Sequence, residues 1–472
     1  MCCEQKKQFS IMEQLTTLIL SLNQFIPSAN VAHLLEIING IYSISSGGVT
    51  GLNISRYCSV SYRTIQRFMA LDIPWDKLLI SMLGTFLSDY KGQYLLAIDE
   101  TVEDKAGKST HKLGYFFSSK LGKAIKSVSF GVVSLVAVDK KRSYVLGFEQ
   151  MEQDKTKTAA HKAAKQAKAA EKKAKAQAKL EGKEIEKKTA GRKKGSTNKN
   201  KTKVDSENYR VLSLLLIRIL PLLKEILISP LYLVGDGAYG NISGCLIAAE
   251  HDLFLISKLH YNTALFYPPT PGTRQRKYGD RVDFSKLDKH QFNQEEDEDG
   301  ILTYFQIKKV QTRTIDQQIN VVILRYENKT SKKVSFALLF STDLSLDGKL
   351  LAHYYSLRFQ IEFNFRDAKQ YFGLSDFKNI KEKQVKNAVG LSFFMVNLSA
   401  ILIDGIKEEY NIDVMSILDL KACFRAIFFS NRLKNTPVLD VTNILKEENT
   451  PLLRSLGIVN MTKNSDLMQI RA

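Results

Sequence analysis

The chain has 472 residues, of which 44% are hydrophobic and 25% charged. That globular balance excludes wholesale disorder, collagen-like repeats and a small disulfide scaffold, and the length allows roughly two to four domains. Lys and Arg outnumber Asp and Glu by 68 to 49, a net charge of +19, which favours a polyanionic partner, nucleic acid before membrane.

Five cysteines, odd in number and without a Cys-x-x-Cys pair or zinc spacing, point to a reduced protein of the cytoplasm. The opening MCCEQKKQFS is polar and has no apolar run behind it, so no targeting segment is expected. Residues 1–89 read as a helical, DNA-binding N-terminal region. Within it, VTGLNISRYCSVSYRTIQRFM has the pattern of a helix-turn-helix. Leu52, Ile54, Tyr57 and Val60 would pack against Ile65 and Phe68, with Ser59 or Ser61 capping the second helix. That helix would present Tyr62, Arg63, Thr64, Gln66 and Arg67 to phosphates and base edges. A generic helical hairpin is the plainer alternative.

From residue 90 the pattern becomes a mixed α/β sheet. Tyr94–Ile98, Ser127–Val138 and Ser143–Phe148 read as three successive strands. Residues 153–206 then form a Lys/Ala-rich basic insertion. Between 155 and 203 there are 18 Lys or Arg and four Glu, a local balance of +14, against +5 for everything else. With almost no large apolar residues it cannot bury a face. It is either a solubilising linker or an extended basic segment that lies in a minor groove, with Arg192 reaching inward. Beyond it come a helix over Tyr209–Ile228, a strand at Leu231–Val234, a helix at Ser243–Glu250 and a strand at Leu253–Ser257. Residues 259–335 read as a β-rich insertion, the sheet resumes at Phe336–Phe340, and the chain is helical after about 347. Ala388–Ile403 is apolar, but its 16 residues fall short of the ~20 needed to span a membrane; it reads as a buried core helix. Residues 405–472 form a C-terminal helical region.

Two aspartates stand at the ends of apolar strands. Asp99 follows YLLAI, and Asp236 follows LYLVG. In open α/β sheets, side chains at strand C-termini point into the ligand crevice, although for either Asp alone a turn-capping strand end is the plainer reading. Glu100 and Glu103 are rivals for the first position. In YYSLRFQIEFNFRDAKQYFG, Tyr355, Arg358, Glu362 and Lys369 are spaced three, four and seven residues apart. On one helix they fall within an arc of roughly 60°. Leu357, Ile361, Ala368 and Phe372 supply the opposite, buried stripe. Spacing alone also suits a solvated face with an Arg358–Glu362 pair.

The pattern Tyr355-x2-Arg358-x3-Glu362-x6-Lys369 resembles the signature of DDE-type cut-and-paste bacterial insertion-sequence transposases, the group with a Y-R-E-K helix. The resemblance covers roughly residues 90–404, with the basic insertion as a departure from the group's minimal core. It implies a ribonuclease-H-like catalytic core in which Asp99, Asp236 and Glu362 ligate two Mg²⁺ ions (Mn²⁺ as a substitute) roughly 3.5–4 Å apart. Tyr355, Arg358 and Lys369 then map onto residues that hold transposon-end phosphates. It further implies end cleavage through a hairpin, strand transfer to target DNA, a homodimer on the DNA, and a flipped base held by aromatics. Tyr261, Phe266 and Tyr267 are the candidates for that last role. The competing readings are a ribonuclease-H-like nuclease without strand transfer, and a non-catalytic DNA-binding regulator or relic.

Overall fold

The apolar runs assemble into one large mixed sheet. In this computed structural model, residues 11–153, 206–269 and 277–434 are described, with short pieces at 166–167, 169–170 and 462–463. The basic insertion, Arg192 included, lies outside the described residues. Strand β1 (Tyr94–Asp104) runs antiparallel to β3 (Lys123–Ala137), and β3 runs antiparallel to β4 (Arg142–Gln150). On its other side β1 pairs in parallel with β5 (Tyr232–Gly235), and β5 in parallel with β6 (Phe254–Leu259). The order β4-β3-β1-β5-β6, with three antiparallel strands followed by two parallel ones, is the ribonuclease-H-like arrangement.

The β-rich insertion extends the same sheet. Its long strands β9 (Gly300–Thr312) and β10 (Ile319–Asn328) join it through β11 (Val334–Ser341), which pairs with β6. The strands β7 (Leu265–Phe266) and β8 (Gln291–Glu296) flank β9. In the core sheet one strand escaped sequence analysis: β2 (Gly114–Ser118), an edge strand with every second side chain exposed.

Helices α1 (Ile11–Leu20), α2 (Ser28–Ser43) and α5 (Trp75–Phe86) carry most of the N-terminal apolar residues. The expected helix-turn-helix is smaller than its pattern suggested. Its first member, α3 (Gly51–Ile54), is a single turn, and α4 (Tyr62–Phe68) has two. So short a helix cannot turn both of its apolar residues inward: Ile54 is buried while Leu52 is exposed. Ser61 caps α4 through the Thr64 amide, as its position predicts, whereas Ser59 hydrogen-bonds Glu36.

Two helices press on the core sheet from opposite faces, α6 (Glu207–Glu225) on one and α9 (Gln360–Tyr371) on the other. The approach of α6 is close enough to require glycine at 131, since a Cβ there would stand 2.5 Å from Val211. Helix α7 (Ile242–Glu250) follows β5, and α8 (Gly348–Leu357) leads into α9. The 29-residue α10 (Glu382–Tyr410) is the apolar helix that the sequence marked as core. By length and composition it is apolar enough to cross a membrane, yet 83% of its apolar window is buried inside the structure. Helix α11 (Ile417–Lys434) follows in the C-terminal region, which also holds a two-stranded antiparallel sheet of Ile412–Val414 and Thr462–Lys463 where the sequence suggested helix alone.

The polar residues of α10 explain its setting. Asn387 accepts from the Trp75 indole at 2.8 Å and donates to the Met69 and Leu71 carbonyls. Asn397 accepts from the Val145 amide at 2.9 Å and donates to the Val145 carbonyl at 2.7 Å. Val145 lies on β4, an outer strand of the sheet, so Asn397 satisfies backbone groups that no further strand pairs. Asn397→Leu should strand both groups in an apolar interior and cost about 2–4 kcal/mol. Urea unfolding of the variant beside the parent measures the loss; an unchanged midpoint would mean that the contact contributes nothing.

Candidate active site

The parallel pairing of β1 and β5 ends at Ile98 opposite Gly235. Asp99 and Asp236 are the next residue on each strand, so adjacent strands deliver them side by side, about 4.8 Å apart along the hydrogen-bonding direction. Asp99 is not the strand end that its sequence suggested. β3 outruns β5, so β1 keeps one partner and continues from Asp99, opposite Val132, to Asp104, opposite Ser127. Asp236 does end its strand. Its Oδ1 accepts from the Ala238 amide at 2.9 Å, and its carbonyl accepts from the Ser257 hydroxyl at 2.6 Å.

The third carboxylate arrives on the helical side, where the structure departs from the single helix read from the spacing. Helix α8 ends at Leu357, α9 begins at Gln360, and Arg358 and Phe359 form a tight turn between them. The amides of Arg358, Phe359, Ile361 and Glu362 all bond to carbonyls three residues back, which winds the chain tighter than an α-helix. Leu357, Ile361, Ala368 and Phe372 are buried, as the stripe predicted.

At this turn one guanidinium joins the two sides of the site. Arg358 Nη1 donates to Asp99 Oδ2 at 2.7 Å, and Nη2 donates to Glu362 Oε1 at 2.8 Å. The Asp99 side chain is 18% exposed, that of Arg358 17% and that of Glu362 39%. Burial raises the Asp99 pKa to about 6, with Asp236 and Glu362 pushing the same way and Arg358 pulling against them. Tyr355 stands beside Arg358, and burial raises its pKa. Lys369 pairs at 2.8 Å with Glu103, which also accepts from Ser375. A cleft of 890 Å³ is lined by Asp99, Asp236, Arg358, Glu362 and Lys369.

Alternation along β1 separates these groups from a second set. Asp99, Thr101 and Glu103 face α9, while Glu100 faces α6. Glu100 accepts from Asn208 on α6 and, at 2.7 Å, from the Tyr239 hydroxyl. Tyr239 belongs to the loop that begins at Asp236, so the carboxylate beside Asp99 ties down the loop carrying Asp236. Burial raises the Glu100 pKa to about 7, with Asp99 and Asp236 adding to the shift and Tyr239 opposing it. Sequence analysis entertained Glu100 and Glu103 only as substitutes for Asp99. The alternation of DETVED holds the sorting signal, but only if the strand is known to continue.

The remaining sequence candidates lie elsewhere. Arg63 and Arg67 are exposed on α4. Phe266 is buried beside Tyr278 and the Arg313 guanidinium, Tyr267 packs against His290, and Tyr261 is exposed beside His260. None of these three aromatics lines the carboxylate cleft.

A ribonuclease-H-like sheet whose parallel strands bring two aspartates into a cleft that a helix-borne glutamate also lines is the framework of a phosphoryl-transfer nuclease. Residues 43–318, more than half the chain, match the family model of DDE superfamily endonucleases, and the chain belongs to that family. The match includes Asp99 and Asp236 and stops short of Glu362. Among solved structures, the chain is similar to the piggyBac transposase of a cryo-EM synaptic complex with hairpin DNA. The two are 11% identical, the alignment covers 93% of this chain and 84% of that one, and the TM-score is 0.39. No curated protein matches the chain.

The family generally works with a divalent metal. The donors here, carboxylate oxygens alone, suit a hard cation such as Mg²⁺ or Mn²⁺. In the present arrangement Asp99 and Glu362 give oxygens to Arg358, and among the described residues no three acidic, His or Cys side chains stand close enough together to hold an ion.

The raised pKa of Glu100 has a measurable consequence without any metal. The folded chain holds this proton to higher pH than the unfolded chain. Its contribution to stability is therefore complete below the ordinary Glu range and is lost as pH rises through about 7. Glu100→Gln keeps an acceptor for Tyr239 but cannot titrate. Its urea midpoint relative to the parent should rise between pH 5 and pH 8 in metal-free buffer; a constant difference would mean that Glu100 titrates normally.

Proposed function

We propose that this chain is a DDE transposase of the Y-R-E-K type. In this reading it cuts DNA at the terminal inverted repeats of its own insertion sequence through a hairpin intermediate. It then joins the 3′ ends to target DNA, acting as a homodimer on the DNA in the bacterial cytoplasm. The observation that carries the reading is the Arg358 bridge, which brings Asp99 and Glu362 to one guanidinium in the cleft that Asp236 also lines.

Asp99, Asp236 and Glu362 would hold the metal once drawn together, with Arg358 giving up the carboxylate oxygens it takes here. Bound there, divalent ions supply Lewis-acid activation of a water or 3′-hydroxyl and stabilisation of the leaving oxygen. The rest falls to side chains. Arg358 offers a planar fork that suits two oxygens of one phosphate as well as it suits two carboxylates. Lys369 is a point charge paired with Glu103 and able to turn toward a strand backbone. Tyr355 borders Arg358 and limits the directions its guanidinium can take. Exposed Arg63 and Arg67 supply phosphate contacts away from the carboxylates, and the basic insertion adds more; such contacts position the duplex without reading it.

Glu362→Gln removes one negative ligand at nearly constant shape. It should abolish Mg²⁺-dependent end cleavage, a loss of at least about 100-fold, while duplex affinity stays near that of the parent. Arg358→Ala should weaken both cleavage and strand joining, and Lys369→Ala should be milder, because a point charge is more easily replaced by neighbours. Gel assays that score nicked, hairpin and joined products separate these outcomes. Parent-like nicking by Glu362→Gln would remove the carboxylate triad from the account.

A further inference from the structure

The strand that sequence analysis missed carries an unexplained surface. On β2, Tyr115 is 60% and Phe117 64% exposed, and Leu121 in the turn that follows is 55% exposed. Large side chains held open in a row on a strand leave apolar area in water and mark a contact surface.

Strand register shows which face they occupy. Ser127 on β3 pairs with Asp104 on one side and with Gly114 on the other, so β2 lies across β3 from β1. Tyr115 stands opposite Lys126, and Phe117 opposite Ala124. Val128, Phe130 and Val132 continue that alternation, and their partners on β1 are Glu103, Thr101 and Asp99. Tyr115 and Phe117 therefore share a sheet face with Asp99. Phe117 and Lys120 line the same cleft as Asp99, Asp236 and Glu362.

The charge around them identifies the occupant. Residues 105–126 contain six lysines (Lys105, Lys108, Lys112, Lys120, Lys123 and Lys126) and no Asp or Glu. The Gln153 side chain holds the edge of β2, accepting from the Tyr115 amide and donating to the Tyr115 carbonyl, each at 3.0 Å. The Lys-rich sequence from residue 155 therefore starts two residues past that clasp. Exposed rings on a hairpin whose own sequence carries lysines and no acid suit a strand whose phosphates are anionic and whose bases present flat faces.

We propose that the β2–β3 hairpin is a base-stacking contact, in which Tyr115 and Phe117 take up bases of unpaired DNA at the mouth of the carboxylate cleft while Lys120 holds an adjoining phosphate. This rests on the chain acting on DNA and adds where the strand is opened and held. A paired duplex hides its base faces, so the contact discriminates unpaired from paired ends.

The chain's single tryptophan makes a clean test. Trp75 is 1% exposed and packed against Phe394, so Phe117→Trp in the full chain adds the one solvent-facing indole. Without metal, labelled single-stranded DNA of about 16 nucleotides, a duplex with unpaired ends and a blunt duplex are titrated, with anisotropy reporting binding and indole emission reporting stacking. Emission of Phe117→Trp should fall strongly with the first two probes and little with the blunt duplex at saturation. Tyr115→Ala/Phe117→Ala should bind single strands at least about tenfold more weakly and blunt duplex within about twofold of the parent. Phe117→Tyr should retain parent-like affinity. DNA that saturates the protein without quenching, or a double variant with parent-like single-strand affinity, overturns the stacking contact and leaves the nuclease reading standing. A parent chain that binds none of the probes overturns both.

Discussion

Arg358 is the interaction on which the site depends. It spans Asp99 on β1 and Glu362 on α9, and so ties the sheet to the helix that completes the cleft. Burial makes the span consequential: Asp99 sits among Asp236 and Glu362 with its pKa already raised. Removing one partner from a buried charge pair typically costs about 3–5 kcal/mol, because the other is left uncompensated. Glu362 is partly exposed, so the cost here belongs at the low end of that range. The tight turn at Arg358–Phe359 follows from the same demand, since it places the guanidinium at a helix junction while Leu357 and Ile361 stay buried.

The sheet makes this convergence possible through unequal strand lengths. β5 stops at Gly235, which frees Asp236 to begin a loop, while β3 carries β1 past Asp99. One continuous strand can then offer Asp99 and Glu103 to α9 and Glu100 to α6. Asp99 and Asp236 are thus bound twice, directly by adjacency and indirectly through Glu100 and Tyr239. Behind them α10 satisfies an outer strand with Asn397 and anchors α5 with Asn387, so the helix apolar enough for a membrane serves as the spine of the fold.

Much of this was legible in the sequence. Apolar runs marked β1, β3, β4, β5 and β6 and gave the mixed α/β class, and the spacing from Tyr355 to Lys369 marked a buried stripe that the structure contains. What failed did so for local reasons. GYFFS is too short and too exposed to read as a strand, so the hairpin beside the cleft was invisible. DETVED looks like a polar loop because strand propensity does not reveal that β3 still pairs with it. An unbroken helical pattern concealed the turn at Arg358–Phe359, since both residues keep right-handed helical backbone angles. The partners of Lys369 and Glu100 depend on which face of β1 each residue takes, and that required the strand's true length.

Affinity cleavage tests the central claim most directly. Fe²⁺ in place of Mg²⁺, with ascorbate and peroxide, generates hydroxyl radicals at the bound ion and cuts the nearby backbone. The account predicts cuts in three places distant in sequence, around Asp99, Asp236 and Glu362, all suppressed by excess Mg²⁺. Cuts confined to other segments, or cuts that Mg²⁺ does not suppress, would contradict a shared metal site at this cleft.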